Sequence, residues 1–259
     1  MVKGLYTAYT GMINEQNRMD IMTNNLANAS TVGYKKEGST SQSFDDVLTV
    51  KIKDQSVGMR NVQRLGVKNP GVKIGENYTD YSQGSFRITG NTYDLALSGE
   101  GFFAIEFTNK AGETDTKYTR AGPFTLNKDG YLVTEEGDYV LDTQNRRIRL
   151  NTLIDSSITD DGTIYQNGQA VAKIQVTDFE DYDYLEKYGE TYYQPIQGAK
   201  TIAAKAQVKS GYLEMANVQI VSEMVNLISI TRAYESNQKV VQTIDDTLDV
   251  AVNQIGRVQ

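Results

Sequence analysis

Apolar residues recur at intervals of seven in both terminal segments of the chain. The N-terminal row is Leu5, Met12, Met19 and Leu26, and the C-terminal row is Ile220, Leu227, Tyr234, Val241, Leu248 and Ile255. No glycine or proline interrupts residues 212–255, so a long helix can form there. A strict seven-residue repeat drifts off one face of a straight helix unless helices supercoil. The pattern therefore predicts two long terminal helices with coiled-coil heptads.

The middle of the chain has a different pattern. Between residues 75 and 209, short apolar runs rich in Tyr, Phe, Val, Ile and Thr are bounded by turn signals such as Asp160-Asp161-Gly162 and Asn167-Gly168. The Asn167-Gly168 pair is typical of a type I′ hairpin turn, because both central residues of that turn need a positive φ. These features predict a β-rich module between the helices, and a fold of class α+β.

The same patterns divide the chain into four segments. Residues 1–36 are predicted to form the N-terminal helix and the loop after it, and 37–74 an extended connector. Residues 75–209 are predicted to form the β-rich module, and 210–259 the C-terminal coiled-coil helix. The connector is predicted to be extended because it is polar, glycine-spaced and without clear apolar periodicity.

Composition excludes much enzyme chemistry. The chain has no His, Cys or Trp, which removes His general bases, Ser-His and Cys-His nucleophiles and thiolate zinc sites. Lys and Arg number 26 against 33 Asp and Glu, and the net charge of −7 argues against a general nucleic-acid binder. No apolar stretch is long enough for a signal-peptide core or a membrane span, so we expect no membrane insertion and no cleaved signal.

Candidate chemical motifs are weak. Gly99-Glu100-Gly101 lacks the third glycine, the following helix and the lysine of a phosphate-binding loop. The acidic, Tyr-rich stretch 178–193 lacks the central glycine and closing glutamate of a calcium-binding loop. Carboxylate pairs such as Asp160-Asp161 lie at turn positions. We therefore predict no catalytic residue, no metal site, no cofactor and no small-molecule substrate.

Three separate segments, 24–35, 89–103 with 118–122 and 129–133, and 211–218 with 232–235, together resemble one family, the axial rod and hook proteins of the bacterial flagellum. The first segment is similar to the N-terminal signature of that family, and the second is similar to its central β pattern. The third, 211–218 with 232–235, is similar to the C-terminal signature. The signature residues outside the central pattern are Asn24, Asn25, Asn28, Gly33, Tyr34, Leu213, Glu214, Asn217 and Arg232.

The resemblance implies a structural subunit and no enzyme. Such a subunit would be exported by the flagellar type III apparatus and would polymerise, with neighbouring rod and hook proteins, into the tubular rod of the basal body. The two heptad rows would then be the subunit-interaction residues, and the role would be to transmit torque to the hook. The long connector favours the distal rod protein over the proximal ones, because that member typically has extra sequence there.

Two alternatives remain open at this stage. The heptads also permit another exported coiled-coil surface protein or adhesin, although that function would leave the signature segments unexplained. A carboxylate-dependent glycan hydrolase would need two converging carboxylates, and no spacing in the sequence identifies them.

Overall fold

The computed structural model describes residues 2–52, 62–109 and 112–255. Helix α1 is Val2–Ala27 and helix α2 is Ile220–Val250, and α2 continues as a π-helical turn over Ala251–Ile255. A short 3-10 helix covers Tyr182–Tyr184. The first ten strands are β1 (Glu37–Ser43), β2 (Val47–Ile52), β3 (Val62–Lys68), β4 (Val72–Thr79), β5 (Phe86–Ile88), β6 (Leu95–Ser98), β7 (Phe102–Thr108), β8 (Thr114–Thr119), β9 (Phe124–Leu126) and β10 (Leu132–Thr134). The others are β11 (Tyr139–Val140), β12 (Ser156–Ile158), β13 (Thr163–Gln166), β14 (Gln169–Lys173), β15 (Val176–Phe179), β16 (Leu185–Tyr188), β17 (Tyr192–Pro195), β18 (Thr201–Ala203), β19 (Gln207–Ser210) and β20 (Tyr212–Glu214).

The α+β mixture agrees with the sequence, but the prediction of long coiled-coil flanks is wrong. One N-terminal helix of 26 residues and one C-terminal helix of 31 residues flank a strand-rich core. The two helices approach each other closely through small residues: a Cβ on Gly11 would lie 3.0 Å from Asn237 Nδ2, and one on Gly4 would lie 3.7 Å from Ile244 Cδ1. Most residues of the heptad rows are half-buried within one chain, which periodicity alone cannot distinguish from packing between chains.

The chain divides into two compact units. Unit 1 contains residues 1–26, 37–80 and 220–259, and unit 2 contains residues 27–36 and 81–219. The helices and the segment predicted as an extended connector therefore belong to one unit. The described residues of this segment contain β1, β2, β3 and the start of β4; β1 pairs antiparallel with β4, and β2 pairs antiparallel with β3. Strand β1 has no apolar residue, and the pairing of one strand with another cannot be read from the local spacing of residues.

The sheet of unit 2 is organised around β7. This strand pairs antiparallel with β8 along its length, while β15 and β11 pair with its first and second halves. The sheet follows the order β16-β17-β8-β7-β11-β10-β9, and β15 also pairs with β18. Successive side chains of a strand point to opposite faces, and in β7 both faces are buried.

Two apolar clusters form the core of unit 2, one for each face of β7. Phe103 belongs to the first, with Leu95, Leu97, Phe124, Leu132, Val140, Ile148, Leu150, Ile164, Ile174 and Val208. Phe102 and Ala104 belong to the second, with Tyr118, Leu141, Phe179, Leu185 and Tyr193. The alternation along β7 places this strand at the centre of the core.

The hairpin predicted at Asn167-Gly168 is confirmed. Asn167 and Gly168 have φ values of 51° and 76°, and they connect β13 to β14 with Gln166 paired to Gln169. Both positive φ values are those that a type I′ turn requires.

Candidate functional site

Three residues that are distant in sequence form a buried ionic cluster, which we call the clasp: Lys35, Arg120 and Glu214. All three side chains are almost fully buried. Glu214 Oε1 accepts a hydrogen bond of 2.6 Å from Lys35 Nζ and one of 3.0 Å from the backbone N–H of Gly84. Glu214 Oε2 accepts one of 3.3 Å from Arg120 Nη1. One carboxylate therefore binds two cations and a backbone amide inside unit 2.

Regular strands position two members of the clasp. Glu214 is the last residue of β20 and lies opposite Phe86 of β5. Arg120 directly follows β8, and its guanidinium carbon lies 5.3 Å from the ring centroid of Phe102. Because Phe102 is held in the sheet core, the guanidinium has a fixed platform under it.

The third member, Lys35, ends the N-terminal signature loop. Its ammonium group also donates to the backbone carbonyl of Ser82 at 2.7 Å. Removing charges from water is costly, and that cost is offset only where the geometry is good and further hydrogen bonds satisfy the groups. The contacts of Lys35 with Glu214 and Ser82 meet this requirement.

Gly33 brings the signature loop against the strand that carries Glu214. Its backbone N–H donates to the carbonyl oxygen of Glu214 at 2.8 Å, and Val32 forms a β-bridge with Met215. Gly33 has a φ of +71°, and a Cβ at this position would lie 2.3 Å from the backbone nitrogen of Ala121. Only glycine combines this φ with so close an approach of two backbones.

Signature asparagines hydrogen-bond to backbone on both sides of the loop. Asn217 Oδ1 accepts from the N–H of Lys36 at 2.8 Å, and Asn217 Nδ2 donates to the carbonyl of Ser82 at 3.2 Å. In unit 1, Asn25 Nδ2 donates to the carbonyl of Glu37 at 2.7 Å, and Asn25 Oδ1 accepts from the Glu37 N–H at 2.9 Å. These amides each provide a donor and an acceptor, which no carboxylate could do.

The remaining signature residues separate into buried and exposed ones. Tyr34 and Leu213 are buried, and Lys187 Nζ lies 4.1 Å above the Tyr34 ring. Asn28 is buried and accepts a hydrogen bond from Thr31 Oγ1. Asn24 and Arg232 are exposed on the helices. Arg120 lies in the central pattern at 118–122, but the sequence alone does not single it out as a site residue, because an arginine beside a strand gives no signal of burial.

The proposed subunit-interaction residues lie mostly at half-buried positions. These are Leu5, Met12, Met19, Leu26, Leu227, Tyr234, Val241 and Leu248. Ile220 is exposed, and Ile255 ends the π-helical turn. Other apolar side chains of the same helices are far more exposed than the heptad rows, among them Tyr6 and Val221. The role of the heptad residues as contacts between subunits therefore stays a prediction.

A cleft of about 600 Å³ lies beside the signature loop, between residues 30–32, Pro123, 134–136 and 189–192. One wall is Tyr192, whose hydroxyl donates to Asp138 Oδ2 at 2.9 Å. Burial, with the neighbouring carboxylates, raises the pKa of Tyr192 well above its ordinary value. The phenol is thus held neutral and structural. Within the described part of the chain, no group of three or more acidic residues is placed to hold a metal ion.

One exposed ion pair gives a useful contrast with the clasp. Arg147 donates two hydrogen bonds to Glu106, at 2.9 Å from Nε and 2.6 Å from Nη2. This contact lowers the pKa of the Glu106 carboxyl. The Arg147 side chain is 43% exposed, so water screens the pair strongly.

Family models match the three parts of the chain that meet in the clasp. A model for the flagella basal body rod protein matches residues 5–35, and one for the D1 domain of the flagellar hook proteins FlgE, FlgF and FlgG matches residues 96–168. A model for the C-terminal part of the flagellar basal body rod FlgEFG proteins matches residues 209–255. These ranges contain Lys35, Arg120 and Glu214 respectively.

Whole-length relatives agree with the models. The chain is 34% identical to the flagellar basal-body rod protein FlgG of Bacillus subtilis, over 98% of this chain and 99% of the relative. It is 34% identical to FlgG of Caulobacter vibrioides, over 95% and 97%. It is 32% identical to the rod protein FlgF of the same species, over 100% of both chains.

The family models and the whole-length relatives together place the chain among the axial proteins of the bacterial flagellum. The chain belongs to the family of flagellar basal-body rod proteins. It is a structural subunit of that rod, located in the flagellar basal body. The resemblance found in the sequence is confirmed, and the adhesin and hydrolase alternatives are not favoured. No helix in the described ranges is long and apolar enough to cross a membrane.

Proposed function

We propose that this rod subunit polymerises through its terminal helices into the tubular shaft that transmits torque to the hook. It assembles there with neighbouring rod and hook proteins. A contact between different surfaces of identical subunits forms a filament when it does not close into a ring. The helices suit this role because they keep large apolar side chains exposed.

The observation that carries the proposal is the clasp. Each of its three charged residues comes from a different family-matched region, and Lys35 and Glu214 stand 179 positions apart. The clasp therefore fixes the loop after α1 next to the strand before α2. A subunit that transmits torque needs its two helices to remain connected to a stiff core, and the buried ion pairs of the clasp support such a connection.

Two finer parts of the proposal rest on the family. The subunit is exported by the flagellar type III apparatus without a cleaved signal, and it takes the distal position in the rod. The long segment 37–74 supports the distal position, since the distal member of the family typically has extra sequence there. Neither part requires a cofactor, a nucleic acid or catalysis.

The test is an in-frame deletion of this chain, analysed by electron microscopy and mass spectrometry of purified hook-basal bodies. We expect the wild-type particles to contain the chain and the deletion particles to stop growing within the rod, before the hook. The length of the truncated rod then assigns a proximal or distal position. Intact hook-basal bodies without the chain in a motile deletion strain would contradict the proposal.

A further inference from the structure

Apart from Ile220, the exposed apolar residues at the start of each helix lie outside the heptad rows. On α1, Tyr6, Tyr9 and Ile13 are 62%, 52% and 38% exposed. Their spacing of three and four residues places them on one face of the helix. We call this face the tyrosine stripe.

A second exposed face lies on the first turns of α2. Val221, Met224, Val225 and Ile228 are 77%, 50%, 61% and 54% exposed. Their positions also follow the spacing of one helical face. We call this face the valine stripe. It contains no charged residue, and it covers two helical turns, as the tyrosine stripe does.

The two stripes lie at opposite ends of the helix pair. Gly11 faces Asn237, and Gly4, seven residues earlier on α1, faces Ile244, seven residues later on α2. The helices are therefore antiparallel within unit 1. Val225 lies twelve residues before Asn237, so it is level with the residue twelve positions after Gly11, which is position 23 of α1. That position is fourteen residues beyond Tyr9. At a rise of about 1.5 Å per residue, the stripe centres are offset by roughly 21 Å along the helix axis.

We propose that the valine stripe of one subunit binds the tyrosine stripe of a second copy of this chain. This inference rests on the proposed function, because it specifies the surface through which the terminal helices assemble. Contiguous exposed apolar patches on soluble proteins mark interaction surfaces. Each stripe is uncharged and matches the other in length, so each can cover the other without burying an unpaired charge.

The offset decides what kind of assembly forms. Copies that keep the same orientation and join in this way use different surfaces and are displaced by roughly 21 Å along the helix axis, so the contact repeats without closing. Between copies related by this displacement, α1 of one copy runs antiparallel to α2 of the next. The two helices have the same relative direction within one copy. Tyr9 then lies opposite Val225, the central pair of the contact.

Disulfide cross-linking tests this pairing cleanly, because the chain has no cysteine of its own. The double variant Tyr9→Cys/Val225→Cys is expressed in place of the wild-type chain, and hook-basal bodies are purified, oxidised and analysed on a non-reducing gel. We expect a ladder of dimers, trimers and higher species that disappears on reduction. Each single variant should stay monomeric. The matched control Tyr9→Cys/Leu153→Cys, with a fully accessible apolar position in unit 2, should also give no ladder.

The other outcomes separate the two proposals. If the double variant is present in basal bodies but does not cross-link, the stripe pairing is wrong and the proposed function stands. Dimers from a single-cysteine variant would mean that a stripe binds its own equivalent, which also overturns the pairing. If even the wild-type chain is missing from basal bodies, the proposed function itself fails.

Discussion

The clasp makes a sharp prediction for Glu214→Gln. This change keeps the shape of the side chain but removes its charge, which leaves Lys35 and Arg120 buried near a neutral amide. The amide nitrogen of the new glutamine is itself a donor, and in either orientation it must face another donor. That donor is the Arg120 guanidinium on one side, or the Lys35 ammonium and the Gly84 N–H on the other. Removing one partner of a buried ion pair costs about 3–5 kcal/mol. We expect the free energy of unfolding of unit 2 to fall by that amount.

The assay is thermal unfolding followed by tyrosine near-ultraviolet circular dichroism, with urea unfolding as a second measure. For a domain of this size, 1 kcal/mol shifts the midpoint by about 2–4 °C, so we expect a decrease of roughly 6–20 °C. The matched control is Glu106→Gln, which breaks a similar carboxylate–guanidinium pair at the surface. An exposed pair contributes less than about 1 kcal/mol, so the control midpoint should move by only a few degrees.

The comparison of the two variants is what tests the reasoning. If Glu214→Gln and Glu106→Gln lower the midpoint equally, burial does not strengthen the clasp, and its proposed role in holding the signatures together is refuted. A large loss for Glu214→Gln with an unchanged far-ultraviolet spectrum at low temperature would show that the protein still folds and is only less stable.

Three further changes test other contacts. Gly33→Ala should destabilise the protein much more than Gly90→Ala. Both glycines have a positive φ, which costs about 1–2 kcal/mol for alanine, but only at Gly33 would the added Cβ meet the backbone of another segment. Equal urea midpoints for the two variants would contradict this. Asn25→Asp should cost about 1–3 kcal/mol in urea unfolding, because the carbonyl of Glu37 loses its donor, and an unchanged midpoint would count against that hydrogen bond. The pKa of Tyr192 is raised on folding, so the stability that this residue contributes is present below about pH 10 and is lost as the pH rises further. Between about pH 9 and pH 11, the urea midpoint should therefore fall less steeply for Tyr192→Phe than for the wild type. Parallel curves for the two proteins would rule this out.

The sequence predicted the presence of the two helices because apolar spacing and, over residues 212–255, the absence of glycine and proline are local signals. It could not predict what covers the apolar rows. The spacing of Leu227 and Val241 is the same whether their partner is α1 of the same chain or a neighbouring subunit. The exposed stripes differ from the heptad rows, and they became visible only once side-chain exposure was known.

The clasp was only partly predictable. Resemblance selected Glu214, Gly33 and Asn217, but nothing in the spacing brings Lys35 to Glu214 across 179 positions. Strand pairing and the approach of two backbones at Gly33 produce that contact, and both are properties of the complete fold. The sequence indicated only an extended connector over 37–74, because the pairing of β1 with β4 and of β2 with β3 is not visible in local spacing.

The β-bridge between Val32 and Met215 and the ion pair between Lys35 and Glu214 join the loop after α1 directly to the strand before α2. Tension applied to the two ends of unit 2 arrives at the signature loop and at the strand that ends in Glu214. The covalent path from Lys35 to Glu214 runs through 179 positions, whereas the ion pair spans the same gap in 2.6 Å. The load therefore passes across the short connection, and the strands between remain unstretched. We therefore expect the other strands of the core to carry less of this load than the contacts around Glu214.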